Sequence, residues 1–220
     1  MSVPECPHDH ADCPLPADCK RLQKKCDRLQ NLVRIDELTG LYNFRSLKGA
    51  LENEMERTRR TGLSTGLIMA DLDHFKRIND TYGHENGNLA LQEAARTWKN
   101  QLRKIDIPCR YGGEEFVFIL PNTNIHNAIR AAERLRAELA ATAIELDGER
   151  VRLTASFGVD AYCEGEDLTV GAFINRVDMF VLDAKQAGRD RVRYDRRKVV
   201  RPVTEVTAEE RESLFTKRKI

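Results

Sequence analysis

The spacing of apolar residues divides the chain into four segments. Residues 1–18 show no hydrophobic period and predict an irregular segment, whereas residues 19–35 carry apolar positions at helical spacing. Residues 36–195 contain successive helix and strand periods and predict one compact domain. Residues 196–220 are strongly charged and predict a C-terminal tail. Any chemistry is therefore expected in the domain of residues 36–195.

The apolar positions before this domain form a short seam. They are Leu22, Cys26, Leu29 and Val33, at 4-3-4 spacing. Two heptads are marginal as an isolated helix pair, so we expect a helical stalk that pairs as part of a larger dimer. The alternative is a single amphipathic helix lying on its own domain.

Within the domain, helix and strand periods mix without strict alternation. The predicted helices span residues 43–60, 74–81, 88–102, 123–141 and 168–187. The predicted strands span residues 65–72, 142–148, 150–162 and 190–195, with a hairpin over 109–120 and a second hairpin pairing 142–148 with 150–162. In the first helix, Phe44, Leu47 and Leu51 are expected on the buried face. The expected fold is α+β, with a mixed, largely antiparallel central sheet flanked by helices.

Composition excludes several classes of protein. The formal net charge of +1 argues against steering toward nucleic acid. No apolar run approaches the roughly 20 residues that span a bilayer, and the N-terminus lacks the apolar stretch of a signal peptide. We therefore expect a cytoplasmic protein with neither nucleic-acid nor membrane partners, in which the six cysteines are thiols.

The first segment is rich in residue types that bind metals, namely Cys6, His8, His10, Cys13 and Cys19. Their spacing is not that of a standard zinc finger. Either the segment is a small metal or redox sensor that feeds the stalk, or it is an extension without such a role.

The predicted hairpin contains a glycine turn followed by two like charges. Gly112 and Gly113 permit a tight turn and a close approach of the backbone. Glu114 and Glu115 point to opposite faces if both lie in a strand. A carboxylate beside a bare glycine turn suits a hard cation and a bulky anion, although Gly-Gly hairpins are also common without any ligand.

A second group of polar residues follows the buried strand 65–72. Asp71 lies at its carboxyl end, Asp73 is expected to cap the helix that begins near His74, and Lys76 can reach a phosphate. If Asp71 and Glu114 lie on adjacent strands, they can share Mg²⁺, which commonly takes one or two carboxylates plus substrate phosphates. The residues alone thus favour metal-assisted phosphoryl or nucleotidyl transfer.

Five motifs in one order carry a resemblance to a known family. They are "DELTGLYN" (36–43), "DLDHFKRINDTYGH" (71–84), "GGEEF" (112–116), "ASFGV" (155–159) and "DAKQAGRDRV" (183–192). Together they resemble the GGDEF-domain diguanylate cyclases, bacterial enzymes of second-messenger signalling, with a Glu variant of the signature. The resemblance covers about 160 residues.

The resemblance implies a fold, a reaction and an assembly. The sheet would be palm-like, related to nucleotidyl cyclases and polymerases. The reaction would condense two GTP molecules into cyclic di-GMP with release of pyrophosphate. Each domain would hold one GTP, so two domains of a homodimer must face each other. The cofactor would be Mg²⁺, with Mn²⁺ as a substitute.

The resemblance also implies roles for single residues. Asp71, the Leu72 carbonyl and Glu114 would hold the metal, and Glu115 would assist the metal site or the attacking 3′-hydroxyl. Lys76 would complete the catalytic set of Glu114 and Glu115. The implied nucleotide-binding residues are Phe75, Lys76, Asn79, Asn88, Gly112, Gly113, Lys185 and Arg189.

An inhibitory product site is implied by "RKID" just before the signature. Arg103 and Asp106 fit the family's Arg-x-x-Asp pattern, and Arg134 would be a second arm. Arg binds a phosphate or a guanine edge through paired donors, and Asp accepts from guanine. The alternative is a surface salt bridge at a helix end.

Asn88 departs from the family, which usually has Asp at this position to recognise guanine. An ionised Asp only accepts hydrogen bonds, whereas Asn both donates and accepts and so can pair with guanine or adenine. A hybrid cyclase that also makes cyclic GMP-AMP is therefore one alternative. The other is that Asn88 caps the following helix and Asn79 alone selects guanine.

A further alternative belongs to a different class, a receptor that binds GTP or cyclic di-GMP without turnover. The presence of Asp71, Lys76 and Glu114 favours an enzyme. Leu182, where the family more often has Tyr, is expected to be a packing change.

Overall fold

A six-stranded sheet forms the centre of the protein in the computed structural model, which describes residues 34–199 together with Cys19 and residues 21–22 and 24–25. The strands are β1 (Tyr42–Asn43), β2 (Thr65–Leu72), β3 (Ile107–Arg110), β4 (Glu115–Leu120), β5 (Ala143–Leu146), β6 (Glu149–Arg152), β7 (Ala155–Tyr162) and β8 (Val192–Arg193). The helices are α1 (Phe44–Thr61), α2 (Phe75–Gln101), α3 (Ile125–Ala141) and α4 (Val170–Gln186). A 3₁₀ turn follows at Arg196–Lys198.

The sheet has the order β1-β3-β4-β2-β7-β8. The inner pairs β3/β4, β4/β2 and β2/β7 are antiparallel, and the edge pairs β1/β3 and β7/β8 are parallel. Strands β5 and β6 form a separate hairpin. The expected mixed, largely antiparallel sheet flanked by helices is confirmed.

Each face of the sheet has its own core because side chains alternate along a strand. On one face, the buried ring of Trp98 from α2 packs edge-on against Phe116, Phe118 and Phe157, at centroid distances of 4.9, 5.5 and 6.0 Å. The other face, which we call the α1/α4 face, is covered by helices α1 and α4. Leu67 and Met69 of β2 point to the α1/α4 face, so Asp71 continues this alternation onto the same face.

Most predicted elements are confirmed to within a few residues, and three expectations were wrong in part. The predicted helices 74–81 and 88–102 are the two halves of α2, separated by a break at Gly83 (φ 81°, ψ 165°). The predicted strand 150–162 is two strands, because β6 pairs with β5 away from the sheet while β7 enters the centre. Phe44 is not buried but 54% exposed, and it stacks edge-on against Tyr111 at 5.0 Å.

The terminal segments are described only in part. The described residues between 19 and 25 are helical, but the rest of the predicted stalk, the Cys/His-rich residues 1–18 and residues 200–220 lie outside the described residues. None of the described helices combines the length and the apolar character needed to cross a membrane.

Candidate active site

The signature hairpin brings two acidic segments together at one end of the sheet. Asp71, at the end of β2, lies directly opposite Glu115 on β4. The main-chain N–H of Leu72 donates to the Glu114 carbonyl at 3.2 Å, so Glu114 lies in the turn just before that strand. The adjacency expected of these strands is confirmed, but Glu115 rather than Glu114 is the direct cross-strand neighbour of Asp71.

Asp71 is buried without full compensation of its charge. Its side chain is 7% exposed, and Oδ2 lies 2.7 Å from Lys185 Nζ. Its other oxygen, Oδ1, has no hydrogen-bond partner among residues 34–199. Burial raises the pKa of Asp71 above its ordinary value, while the Lys185 ammonium opposes the shift. The orphaned oxygen is an acceptor available to a ligand.

The neighbouring glutamates increase the negative charge. Burial raises the pKa of Glu114, and the charge of Asp71 raises it further. Burial also raises the pKa of Glu115, with added contributions from Asp71 and Asp178. Lys185 opposes both shifts. Carboxylates that repel one another in a partly buried site favour the binding of a cation.

This donor set fits Mg²⁺. The described residues form no cluster of three or more His, Cys, Asp or Glu side chains that would hold a metal unaided. Mg²⁺ does not need one, because it usually takes one or two carboxylates and completes its shell with water and phosphate oxygens. Asp71 and Glu114 could supply such carboxylates, and the Leu72 carbonyl belongs to the last residue of β2.

Arg110 holds the glycine turn in place, a role that the sequence analysis missed. Its guanidinium donates to the Gly113 carbonyl at 2.8 Å and to the Gly112 carbonyl at 3.1 Å. The same group pairs with Asp36 at 3.2 Å. A Cβ on Gly112 would collide with the Glu115 carboxylate, so glycine leaves room for that side chain. The turn is thus fastened to the start of the domain.

Asp73 does not cap helix α2 as expected. The N-cap position is occupied by His74, which has a left-handed backbone (φ 56°) and makes no capping hydrogen bond with its side chain. Asp73 instead accepts the hydroxyls of Thr154 at 2.8 Å and Ser156 at 2.7 Å, and the N–H of Asp190 at 3.0 Å. Asp73 thereby links the end of β2 to the start of β7 and to the turn at Asp190. It does not cap the helix because its carboxylate is already bound by these distant donors.

The predicted nucleotide-binding residues of α2 lie in different surroundings. Lys76 is exposed, whereas Phe75 is 5% exposed and packs in the core. Asn79 lies against Gly87, where an added Cβ would overlap its Oδ1. Asn88 is exposed and lies well beyond the break at Gly83, so it does not cap the second half of the helix.

Comparison with known proteins identifies the domain. The family model described as "Diguanylate cyclase, GGDEF domain" matches residues 33–191. The chain belongs to the GGDEF family.

Two curated relatives of this GGDEF chain are much longer proteins. Response regulator PleD of Caulobacter vibrioides is 39% identical over 173 residues, which are 78% of this chain and 38% of the relative. Diguanylate cyclase DgcP of Pseudomonas aeruginosa is 39% identical over 175 residues, which are 80% of this chain and 26% of the relative. The chain therefore spans well under half the length of these relatives.

Solved structures share the GGDEF fold. Diguanylate cyclase SiaD of Pseudomonas aeruginosa, in complex with its activator SiaC, has a TM-score of 0.70 and 38% identity, covering 82% of this chain and 69% of that one. The GGDEF domain of DgcB from Caulobacter crescentus, in complex with c-di-GMP, has a TM-score of 0.69 and 27% identity, covering 73% of this chain and 92% of that one.

In this GGDEF domain, the predicted inhibitory residues lie close together. Asp106 Oδ2 accepts the main-chain N–H of Arg103 at 2.8 Å, and Arg134 donates to the Gln101 carbonyl at 3.1 Å. Burial raises the pKa of Asp106 against the opposing charges of both arginines. Asp106 Oδ1 is buried and has no hydrogen-bond partner within the described part of the chain. A cavity of about 400 Å³ adjoins Arg103 and Asp106.

Two further residues near the acidic centre of this GGDEF domain, Tyr111 and Asp178, were missed by the sequence analysis. Burial raises the pKa of Tyr111, and the charges of Glu115 and Asp178 raise it further, so both residues lie within electrostatic range of the acidic centre. For Asp178, a usable signal was its helical spacing from Lys185, which puts the two on one face of α4. Lys185 contacts Asp71 directly, and Arg189 is half-buried in the turn after α4.

Proposed function

We propose that the protein is a diguanylate cyclase that condenses two GTP molecules into cyclic di-GMP with release of pyrophosphate. The observation that carries this proposal is the buried Asp71, which has an unpartnered oxygen and lies opposite Glu115 beside the glycine turn. Family membership and the named activity of the relatives support it. A cytoplasmic location, where GTP is available, is part of the proposal.

The residues of the site have separable tasks in this reaction. Asp71, the Leu72 carbonyl and Glu114 would hold Mg²⁺, or Mn²⁺ in its place; the metal would neutralise triphosphate charge and lower the pKa of the attacking hydroxyl. Lys185 now neutralises Asp71. With the metal bound, Lys185 would be available to contact phosphate together with Lys76 and Arg189.

The bond changes are the same in each half of the reaction. The 3′-hydroxyl oxygen of one GTP forms a bond to the α-phosphorus of the other and loses its proton, and the bond from that phosphorus to pyrophosphate breaks. Glu115 would assist the hydroxyl or the metal site. The protein contributes chiefly by positioning the reactants and neutralising charge.

Assembly and feedback are part of the proposal. Two domains that each hold one GTP must face each other, so the active form is a homodimer, and the stalk is proposed to favour it. Cyclic di-GMP would also bind at Arg103, Asp106 and Arg134, where the unpartnered Asp106 oxygen can accept an N–H of guanine. The crystal structure of the DgcB domain with c-di-GMP supports the choice of ligand.

A hybrid cyclase is the second candidate, and it is favoured by Asn88. This exposed amide can pair with guanine or adenine, so discrimination against ATP is expected to be weaker than with Asp. If Asn79 alone selected guanine, cyclic di-GMP would instead be the expected product.

The test is a product assay with pure protein, Mg²⁺ and GTP, ATP or both, read by mass spectrometry. Cyclic di-GMP alone would support the first candidate, and cyclic GMP-AMP in the mixed reaction would support the second. Glu114→Gln is the matched control, because it removes one carboxylate with little change of shape. If the wild-type protein and the Glu114→Gln variant both bind GTP but make no product, the cyclase proposal is contradicted and the receptor is favoured.

A further inference from the structure

The turn after α4 has a strained backbone. Gly188, Arg189 and Asp190 follow one another with φ angles of 107°, 61° and 43°, all in the left-handed region. Glycine adopts this region freely, but residues with a Cβ do so at a cost. Two consecutive strained residues keep their shape only where surrounding contacts hold them.

Two side chains from distant parts of the sequence hold Asp190. Asp73 Oδ2 accepts its main-chain N–H at 3.0 Å, and Arg136 Nη1 donates to its Oδ1 at 2.9 Å. Arg136 is also oriented by Glu133, which accepts from Nε at 2.9 Å. It belongs to α3, which packs on the face of the sheet opposite α4. Arg136 therefore braces the turn from outside the acidic site.

The braced turn is connected directly to the site. Asp73 follows Asp71 and Leu72 in sequence, and it binds the hydroxyls of Thr154 and Ser156 at the start of β7 as well as the turn. Arg189, whose proposed role is phosphate binding, lies in the turn beside Asp190. The position of its backbone depends on the contacts that Asp190 makes.

We propose that Arg136 is a positioning residue for nucleotide binding, because it holds Asp190 and thereby fixes the backbone from which Arg189 extends toward a bound phosphate. The inference rests on the proposed function, which assigns phosphate binding to Arg189. The Arg136 and Asp190 side chains are 26% and 41% exposed, so their ion pair contributes little to the stability of the fold. An effect on affinity can therefore be separated from an effect on folding.

The experiment compares two arginines of the same helix. Arg136→Met removes the guanidinium but keeps the apolar stem. Arg130→Met is the matched control, because Arg130 is exposed and donates to Asn127 of its own helix.

We expect Arg136→Met to raise the dissociation constant of a non-hydrolysable GTP analogue, measured by calorimetry, about fivefold. The KM for GTP should rise alike, kcat should change less than about twofold, and the melting temperature should stay within about 2 °C. The control should change none of these.

A double-mutant cycle tests the route through Asp190. Asp190→Asn keeps a residue that tolerates the left-handed backbone but removes the charge that pairs with Arg136. It should weaken binding as much as Arg136→Met does, and the double variant should be no weaker than either single one. Arg136→Lys should recover part of the affinity, and Arg189→Met gives the effect of losing the phosphate contact itself.

The outcomes separate this inference from the proposed function. Unchanged affinity in Arg136→Met, with weakened binding in Arg189→Met, would overturn the inference, because Arg136 would then form only a surface ion pair. A parallel loss of affinity and melting temperature would make its role one of folding only, which also overturns the inference. A wild-type protein that neither binds nor converts GTP would instead overturn the proposed function, and the role of Arg136 with it.

Discussion

Two buried aspartates lie toward opposite ends of the α1/α4 face, and their surroundings differ sharply. Asp160 of β7 is 1% exposed, and its oxygens lie against Arg176 and, at 3.0 Å, Lys198. Both cations also contact Glu166, at 2.9 and 3.4 Å. At this end, two carboxylates meet two cations, and the charge is balanced.

The Asp71 end is not balanced. Glu114, Glu115 and Asp178 add negative charge around Asp71, and Lys185 is the cation in direct contact within the described residues. Burying more negative than positive charge costs stability, and binding of a cation at this end would offset that cost. The comparison indicates that charge balance marks the end that supports the fold, and charge excess marks the end that is proposed to bind a ligand.

The largest expected effect comes from neutralising the unbalanced end. Asp71→Asn should lower cyclic di-GMP synthesis by at least about 100-fold, because one of the proposed metal ligands is lost. It should leave the melting temperature unchanged or raise it, because a buried charge beside other carboxylates is removed. Initial rates and thermal unfolding of the same samples check both expectations. Wild-type activity in this variant would remove Asp71 from the metal site.

The same substitution at the balanced end should have the opposite result. Asp160→Asn removes the buried one of the two carboxylates that Arg176 and Lys198 share, leaving Glu166. It should destabilise the fold by about 2–3 kcal/mol, less than for a fully buried pair because both cations are partly exposed. Activity per folded molecule should persist. Urea unfolding measures the loss, with the exposed Asp167→Asn as control. Equal stability of the Asp71→Asn and Asp160→Asn variants would contradict the comparison of the two ends.

Asp106 resembles Asp71 in having a buried oxygen without a partner, and it offers a third point of comparison. Arg103→Ala should relieve inhibition by cyclic di-GMP, raising the inhibitory concentration about tenfold or more, because a charged contact to the ligand is lost. Synthesis without added product should be close to wild type. Titration of initial rates with cyclic di-GMP tests this, and an unchanged inhibition curve would refute the assigned site.

The smallest expected effect is a dependence of stability on pH. The pKa values of Asp71, Glu114 and Glu115 are raised in the folded protein. Below neutral pH the folded protein therefore binds more protons at these groups than the unfolded protein does. The three carboxyl groups destabilise the fold most at a pH where they are ionised. Without divalent metal, the stability gap between Asp71→Asn and wild type should narrow as the pH is lowered toward about 5. Added Mg²⁺ at neutral pH should stabilise wild type but not the variant. A gap that widens with acid would contradict the direction of these shifts.

Local patterns were sufficient to predict much of this arrangement, and long-range pairing limited the rest. The continuous apolar runs of β2 and β4 predict strands that are buried on both faces, as observed. The motif spacing correctly predicts Asp71, Glu114 and Glu115 as neighbours. Which glutamate lies opposite Asp71 depends on the register set by the turn, and the sequence pattern leaves that register open.

Asp73 and Arg136 show why other features escaped prediction. Asp73 has the position and residue type of a helix cap, but its partners lie more than 80 residues away. Arg136 contacts Asp190 across 54 residues. Hydrogen bonds of this kind form only after the sheet has brought distant segments together, and no periodicity in the sequence predicts them.

The position of Trp98 provides a natural optical probe. It is the single tryptophan of the chain. It is fully buried, packs against three phenylalanines, and donates its indole N–H to the Leu135 carbonyl at 3.1 Å. Its ring lies on the face of the sheet away from Asp71 and Asp160. Its fluorescence will therefore shift to longer wavelength when the core opens to water, so the unfolding of every variant above can be followed without an added dye.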